Sequence, residues 1–175
     1  PRRVVMEAPK NGFFYVLDAR TGKLLSAEKF APVNWAERID LKTGRPVENP
    51  AARYDRTGKP AIVSPGPLGA HNWHPMSFNP KTGLAYIPQH TTAEHFTGKK
   101  VADKSTRFKW NIGVEIPAVP EDIAGREELV KLFTGKLQAW DPVQQKEIWS
   151  VPYPMMSNGG TMTTAGNLVF QGSSY

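Results

Sequence analysis

The chain has 175 residues, of which 39% are hydrophobic and 22% charged, a composition typical of a folded globular protein. It has no cysteine, which excludes a thiolate metal site, a cysteine nucleophile and a disulfide framework. No apolar run approaches the roughly 20 residues of a transmembrane helix, so a membrane span is not expected. The net charge of +6 comes from dispersed basic residues, and we therefore expect no nucleic-acid partner.

Glycine and proline separate short apolar runs along the whole chain. The 15 Gly and 16 Pro lie between runs of β-branched and aromatic residues, which is typical of many short strands joined by turns. The sequence therefore predicts an all-β protein.

The first predicted hairpin extends from Phe13 to Leu25. Its first strand is apolar on both faces, which favours a sheet packed between two other sheets. The strand ends at Asp18, whose short side chain can accept backbone N–H bonds just ahead of it, and Gly22 supplies the positive φ that reverses the chain. We therefore interpret Asp18 as a turn residue and not as a catalytic base.

The same Asp-x-x-x-Gly turn recurs along the chain. The copies are Asp40 to Gly44, Asn79 to Gly83 and, with glutamine in the glycine position, Asp141 to Gln145. A further hairpin is predicted from Gly159 to Gly172, with its turn at residues 165–167. Repeated hairpins predict a β-propeller, in which four-stranded blades pack face to face. At about 40 to 50 residues per blade, the chain would hold three to four blades.

Two segments interrupt this rhythm, and we interpret both as insertions between blades. Residues 31–70 are rich in proline, glycine and charge. Residues 91–134 contain a polar loop followed by a short predicted helix from Glu121 to Leu132, with its charged residues facing outward. The irregular spacing argues against a closed four-bladed propeller, and we expect residues 1–175 to be one incomplete propeller domain.

The segment from Ala139 to Trp149 resembles the tryptophan-docking motif of quinoprotein dehydrogenases, Ala-x-Asp-x-x-x-Gly-x-x-x-Trp. Gln145 departs from the motif at the glycine, and a second copy around Asp18 lacks the tryptophan. Non-catalytic relatives share this motif, so it implies a propeller of the quinoprotein type and no particular activity. Trp140 and Trp149 are expected to pack between blades.

Longer strings resemble the middle of the alcohol dehydrogenases that depend on pyrroloquinoline quinone (PQQ), of the quinoprotein or quinohaemoprotein ethanol dehydrogenase type. These strings are Ala8–Asp18, Pro32–Ala36 and Gly69–Phe78. The resemblance implies an internal fragment, three to four blades long, of an eight-bladed propeller. It also implies a parent enzyme that oxidises alcohols to aldehydes or ketones by hydride transfer to the quinone. The fragment alone would be inactive and, with two blade faces exposed, marginally stable.

The resemblance places cofactor-binding roles on Lys10, Asn72 and Trp73. Lys10 would point at the quinone carbonyls, where an ammonium stabilises the negative charge that develops on hydride acceptance. Asn72 can donate an amide N–H, and Trp73 offers a rigid apolar wall to a planar cofactor. No catalytic residue and no metal ligand are assigned in this chain, because the family's base and main Ca²⁺ ligands are expected before Pro1.

The resemblance also implies a cytochrome-type electron acceptor and a periplasmic location for the parent. A haem c domain would follow Tyr175 in relatives that carry one, and no Cys-x-x-Cys-His is present in the chain. The chain opens on Pro1 rather than on methionine, so any export signal would lie upstream. The substrate alcohol and the oligomeric state are not encoded in recognisable residues.

Each of these functional assignments has a structural or non-enzymatic alternative. Lys10 could be an ordinary solvated lysine. The His-x-x-His of His71 and His74 could chelate zinc. No carboxylate or cysteine completes such a site at recognisable spacing, so a packed or hydrogen-bonded histidine pair is favoured. The rival to an enzyme is a non-catalytic propeller that binds protein or carbohydrate. Lys10, together with Asn72 and Trp73, discriminates between the enzyme and the binding propeller, because blade packing does not require an ammonium in the central channel.

Overall fold

The computed structural model describes residues 2–97, 121–131, 133–153, 156 and 159–172. Within these ranges the chain forms thirteen strands, two α-helices and one 3-10 helix, Pro50–Ala52. The strands are β1 Val4–Glu7, β2 Phe13–Asp18, β3 Leu24–Lys29, β4 Ala36–Ile39, β5 Pro46–Glu48, β6 Ala61–Val63, β7 Ser77–Asn79, β8 Leu84–Thr91, β9 Glu94–Phe96, β10 Thr134–Asp141, β11 Lys146–Tyr153, β12 Thr161–Thr163 and β13 Val169–Gln171. The α-helices are α1 Tyr54–Thr57 and α2 Ile123–Lys131. The all-β prediction is confirmed.

Three antiparallel sheets follow one another along the chain. Strands β1, β2 and β3 form the first sheet, here called blade 1, and β7, β8, β10 and β11 form a complete four-stranded blade 2. Strands β12 and β13 form a hairpin, called blade 3. Blades 1 and 3 pair strands that are consecutive in sequence, whereas in blade 2 β8 pairs with β10 and the chain between them contains β9 and α2.

The predicted turns are the local cause of these hairpins. The Oδ1 atom of Asp18 accepts hydrogen bonds from the backbone N–H groups of Arg20 and Thr21, each at 3.0 Å. Gly22 then turns the chain with a φ of +71°. Asp40 and Asp141 each accept two backbone N–H groups in the same way, Asn79 accepts one from Lys81, and Gln145 adopts a φ of +54° in place of the glycine. All the predicted hairpins are confirmed, including the one between β12 and β13.

Blades 1 and 2 pack face to face through a sealed apolar core. Phe14 and Val16 of β2 lie in one cluster with Ile87 of β8 and Trp140 of β10. The rings of Phe14 and Trp140 are 5.8 Å apart. The Gln145 side chain also crosses the interface, donating to the Ser26 hydroxyl at 2.8 Å. The inter-blade role expected for Trp140 is therefore confirmed.

The opposite face of blade 2 packs on blade 3. Its cluster joins Tyr86 and Leu137 to Val169 of β13, and the Thr161 hydroxyl donates to the Tyr86 carbonyl at 3.0 Å. Trp149 contacts the Tyr86 ring within its own blade at 5.7 Å and is 38% exposed. Its contact in the part of the chain that the structure describes is therefore within a blade, unlike that of Trp140.

Residues 31–70, predicted as an excursion, contain ordered ribbons. Strands β4 and β5 pair with each other and pack on blade 1 near Phe13, while β6 pairs with β9. This β6–β9 pairing was not foreseen, because β9 (Glu-His-Phe) has no alternating pattern long enough to predict a strand. The interpretation of both segments as insertions between blades stays a prediction.

The second predicted insertion, residues 91–134, is described only in part. Residues 98–120 lie outside the described residues, as does Leu132, the predicted end of the helix. The helix itself is confirmed as α2, and Glu127, Glu128 and Lys131 are exposed on it as expected. Among the described residues, no helix has the length and apolar character to cross a membrane.

Candidate cofactor-binding site

Two loops meet at one end of blade 1 and bring the predicted site residues together. The first, residues 8–12 between β1 and β2, is called the lysine loop, and the second, residues 64–76 between β6 and β7, the indole loop. Ala70 N–H donates to the Lys10 carbonyl at 3.0 Å. Gly69, with a φ of +82°, approaches so closely that a Cβ there would lie 2.8 Å from the Lys10 Cα. Only glycine allows this contact.

Lys10 and Asn72 use neighbouring carbonyls of the indole loop. The Lys10 ammonium donates to the Pro67 carbonyl at 3.2 Å, and the Asn72 side-chain amide donates to the Leu68 carbonyl at 3.2 Å. Lys10 is exposed and forms no ion pair with any carboxylate among the described residues. An ammonium has three donor hydrogens, so Lys10 keeps donor capacity for a ligand.

Trp73 presents its indole ring to the outside. Its side chain is 79% exposed, and the ring stacks on His74 with centroids 4.3 Å apart. His74 is buried and meets His90 edge-on at 5.3 Å. Burial lowers the pKa of His74, and the nearby His71 lowers it further. A neutral, buried imidazole thus supports an exposed indole whose outer face has room for a planar ligand.

The lysine loop is fixed from behind by Asn11 and its neighbours. Asn11 donates to the Tyr15 hydroxyl at 2.8 Å and accepts from the Phe13 N–H at 3.1 Å. Trp35 donates its indole N–H to the Asn11 carbonyl at 2.9 Å. Burial is the main cause that raises the pKa of Tyr15, so this phenol stays protonated. The loop that carries Lys10 is therefore held on both sides of Asn11.

The neighbouring Asn34 fixes the start of the indole loop. Its amide donates to the Ile62 carbonyl at 2.8 Å and accepts from the Ser64 N–H at 2.8 Å. Asn34 and Trp35 together thus clamp both loops. The sequence pointed to the string that contains them, but their contacts required the fold, because partners about 24 to 30 residues away leave no local pattern.

In the described ranges, no group of three or more His, Cys, Asp or Glu side chains is arranged to hold a metal ion. Both ring nitrogens of His71 contact backbone carbonyls, those of Ala8 and His74. The interpretation of His71 and His74 as packed or hydrogen-bonded residues is confirmed. Asp18 is likewise confirmed as a turn residue.

An open groove lies at the other end of blade 1, between the β2–β3 turn and the β4–β5 ribbon. Its lining includes the apolar side chains of Leu17, Leu24 and Leu41. The groove contains none of the predicted site residues. Its lining also includes Tyr15 and the polar side chains of Lys23, Lys42 and Thr43.

Known proteins with similar sequences include quinohaemoprotein alcohol dehydrogenases. The chain is 49% identical over 176 residues to the quinohaemoprotein alcohol dehydrogenase ADH-IIG of Pseudomonas putida, covering 99% of this chain and 24% of that enzyme. It is 48% identical to the quinohaemoprotein alcohol dehydrogenase of Comamonas testosteroni, again over 99% of this chain and 24% of the relative. No family model matches. Over nearly its whole length the chain matches about a quarter of each of these quinohaemoprotein alcohol dehydrogenases, as expected of a fragment of such a protein.

Solved structures give the same result. The structure of ADH-IIG from Pseudomonas putida superposes with a TM-score of 0.92 at 48% identity, covering 99% of this chain and 26% of that one. A europium-containing methanol dehydrogenase superposes with a TM-score of 0.73 at 28% identity, covering 97% of this chain and 28% of that one. The predicted partial quinoprotein propeller is confirmed. The chain spans about a quarter of the length of the curated relatives that it matches.

Proposed function

We propose that the full-length protein carrying this chain is a PQQ-dependent alcohol dehydrogenase, and that Lys10, Asn72 and Trp73 form part of its quinone site. One observation supports this most strongly. An exposed ammonium without a carboxylate partner in the described ranges lies on the same pair of loops as a donor amide and an exposed indole. The names of the relatives, quinohaemoprotein and quinone alcohol dehydrogenases, point to the same activity.

The residues present fit PQQ, a planar ortho-quinone that carries carboxylates. Its flat ring system matches the exposed face of Trp73, and its oxygens match the N–H donors of Lys10 and Asn72. No acidic side chain pairs with Lys10 in the described part of the chain, so an anionic ligand meets a net positive loop pair. The quinone, when bound, supplies the hydride acceptor for alcohol oxidation.

The protein residues contribute orientation and charge. With PQQ bound, Lys10 would supply an ammonium that stabilises the negative charge gained by the quinone oxygens. Asn72 would help to orient the cofactor through an amide N–H, and Trp73 would shield the ring system from water. No general base is assigned to these residues.

Other properties of the full-length enzyme are proposed by analogy with its relatives. One of them, from Thauera butanivorans, is named 1-butanol dehydrogenase (cytochrome c) and is 41% identical over 99% of this chain, which supports a cytochrome-type acceptor. The quinohaemoprotein names support a haem c group elsewhere in the protein. We further propose Ca²⁺ as the metal cofactor and the periplasm as the location, as the family resemblance implies.

The test is PQQ-dependent alcohol oxidation by the full-length protein. Apoprotein would be incubated with Ca²⁺, with and without PQQ, and the reduction of an artificial dye followed with primary and secondary alcohols as substrates. Alcohol-dependent reduction that requires PQQ is expected. Absence of PQQ binding and of alcohol-dependent reduction in a folded protein would contradict the proposal and favour a propeller that only binds protein or carbohydrate.

A further inference from the structure

His71 bridges the two loops of the candidate site through its ring. Nδ1 lies 2.5 Å from the Ala8 carbonyl oxygen in the lysine loop, and Nε2 lies 2.6 Å from the His74 carbonyl oxygen in the indole loop. The side chain is 7% exposed. Because a carbonyl oxygen only accepts, the ring donates to both carbonyls only with a proton on each nitrogen. In that form the buried ring is held in one orientation.

The two carbonyls adjoin the residues proposed to hold the quinone. Ala8 lies two positions before Lys10, and His74 directly follows Trp73 and supports its ring. The chain of contacts therefore runs from the lysine loop through the His71 ring to the backbone beneath the indole.

We propose that His71 is a positioning residue for PQQ: it sets the distance between Lys10 and the Asn72–Trp73 turn without touching the cofactor. This inference rests on the proposed function. The Lys10 carbonyl also accepts from Ala70 N–H at 3.0 Å, so the two loops are already joined at one point. His71 supplies the second and third points, which fix their relative rotation as well as their contact.

No other side chain reproduces this bridge. Phenylalanine fills a similar volume but has no hydrogen-bonding atom, which leaves two buried carbonyls without this partner. Glutamine has two N–H donors, but both lie on one nitrogen at the end of a flexible stem, whereas the two imidazole nitrogens lie at separate positions on a rigid ring. The order His, Gln, Phe is therefore an order of decreasing loop fixation, and PQQ affinity should follow it.

The experiment uses full-length apoprotein and a direct binding titration with PQQ, read by quenching of tryptophan fluorescence. H71F is expected to bind PQQ at least about tenfold more weakly than wild type because the donor groups are no longer pre-positioned. H71Q is expected to lie between them. Exposed His95 on β9 gives the matched control, and H95Q should bind as wild type does.

Stability and binding must be separated. The melting temperature and near-ultraviolet circular dichroism of each apoprotein give the folded fraction, and affinities are compared for folded protein only. If H71F does not fold, H71Q carries the test, with an expected loss of several-fold. PQQ affinities of folded H71Q and H71F within twofold of wild type would overturn the inference while leaving the proposed function intact. If wild type itself does not bind PQQ, the proposed function fails instead.

Discussion

The two ends of strand β2 (Phe13–Asp18) have opposite chemistry. At its carboxyl end, the Oδ1 atom of Asp18 accepts hydrogen bonds from two backbone N–H groups and the Thr21 hydroxyl of its own turn, and Oδ2 forms an ion pair with Arg2 at 3.6 Å. At its amino end, Lys10 has one carbonyl contact at 3.2 Å and no ion pair in the described ranges. The charged group of Asp18 serves the fold, whereas that of Lys10 has donor hydrogens to spare.

The two ends of β2 therefore have different roles: Asp18 stabilises the fold, and Lys10 belongs to the candidate site. The turn at Asp18 recurs in every Asp or Asn copy of the hairpin, as a structural device should. The Lys10 turn occurs once, and residues far along the chain hold it: Trp35 binds the carbonyl of Asn11, and Gly69 packs against Lys10 itself. A charged residue that the fold positions through long-range contacts but leaves unpaired is a functional candidate.

The largest expected effect comes from glycine substitutions at the two ends. Gly69 and Gly22 both have positive φ, so alanine strains either position by about 1–2 kcal/mol. At Gly22 the new Cβ meets open space, whereas at Gly69 it lies 2.8 Å from the Lys10 Cα. We expect G69A to cost about 1–3 kcal/mol more than G22A in unfolding free energy because of the clash, measured by denaturant unfolding of the full-length protein. Equal costs would show that the two turns are equivalent.

G69A should also weaken PQQ binding, because the backbone of Lys10 must shift to accommodate the new methyl group. G22A leaves the lysine loop untouched and serves as the control for strain alone. Weaker PQQ binding in G22A than in G69A would contradict the assignment of the site to the amino end of β2.

Trp73 should affect binding more than stability. Its ring is 79% exposed, so W73A removes little buried surface, and the melting temperature of the apoprotein should stay within about one degree of wild type. PQQ affinity should fall about tenfold in W73A, since an aromatic stacking partner contributes roughly 1 kcal/mol or more. W73F keeps the flat ring and should retain most of the affinity. A W73A variant that binds PQQ with wild-type affinity would show that Trp73 is not part of the PQQ site.

The smallest effect concerns acid stability at the Asp18 end. Backbone hydrogen bonds from Arg20 and Thr21 lower the pKa of Asp18 below its ordinary value. Its contribution to stability is therefore complete above the pKa of the unfolded chain and is lost as the pH falls through the lower folded pKa. D18N should lower the melting temperature slightly at pH 7 and flatten its fall below pH 4, without changing PQQ affinity. A D18N variant with weaker PQQ binding would contradict the assignment of PQQ binding to the amino end of β2 alone.

Sequence reasoning succeeded where the determinants of structure are local. An Asp side chain, two backbone N–H groups and a residue with positive φ lie within five positions, so each hairpin turn could be predicted. Gln145 shows the limit of the pattern, because it keeps the positive φ of the missing glycine and uses its side chain to bond Ser26 of blade 1. That partner lies 119 residues away and left no local signal.

Only part of the candidate site could be predicted from the sequence, for the same reason. Strings of residues pointed to Lys10, Asn72 and Trp73, and the structure brings their two loops into contact. The sequence did not predict the clamp formed by Asn34 and Trp35 or the bridge formed by His71. Both depend on contacts between distant loops, and such contacts leave no periodic pattern in the sequence. The β6–β9 pairing was missed because both strands are three residues long.

The most direct test compares two exposed lysines near opposite ends of β2. The full-length protein, reconstituted with PQQ and Ca²⁺, would be assayed for alcohol-dependent dye reduction as wild type, K10A and K23A, with melting temperatures measured in parallel. The account predicts that K10A lowers activity at least about tenfold, the loss expected when a charge-stabilising donor is removed, while K23A and both melting temperatures stay near wild type. Equal activity in K10A and K23A would contradict it.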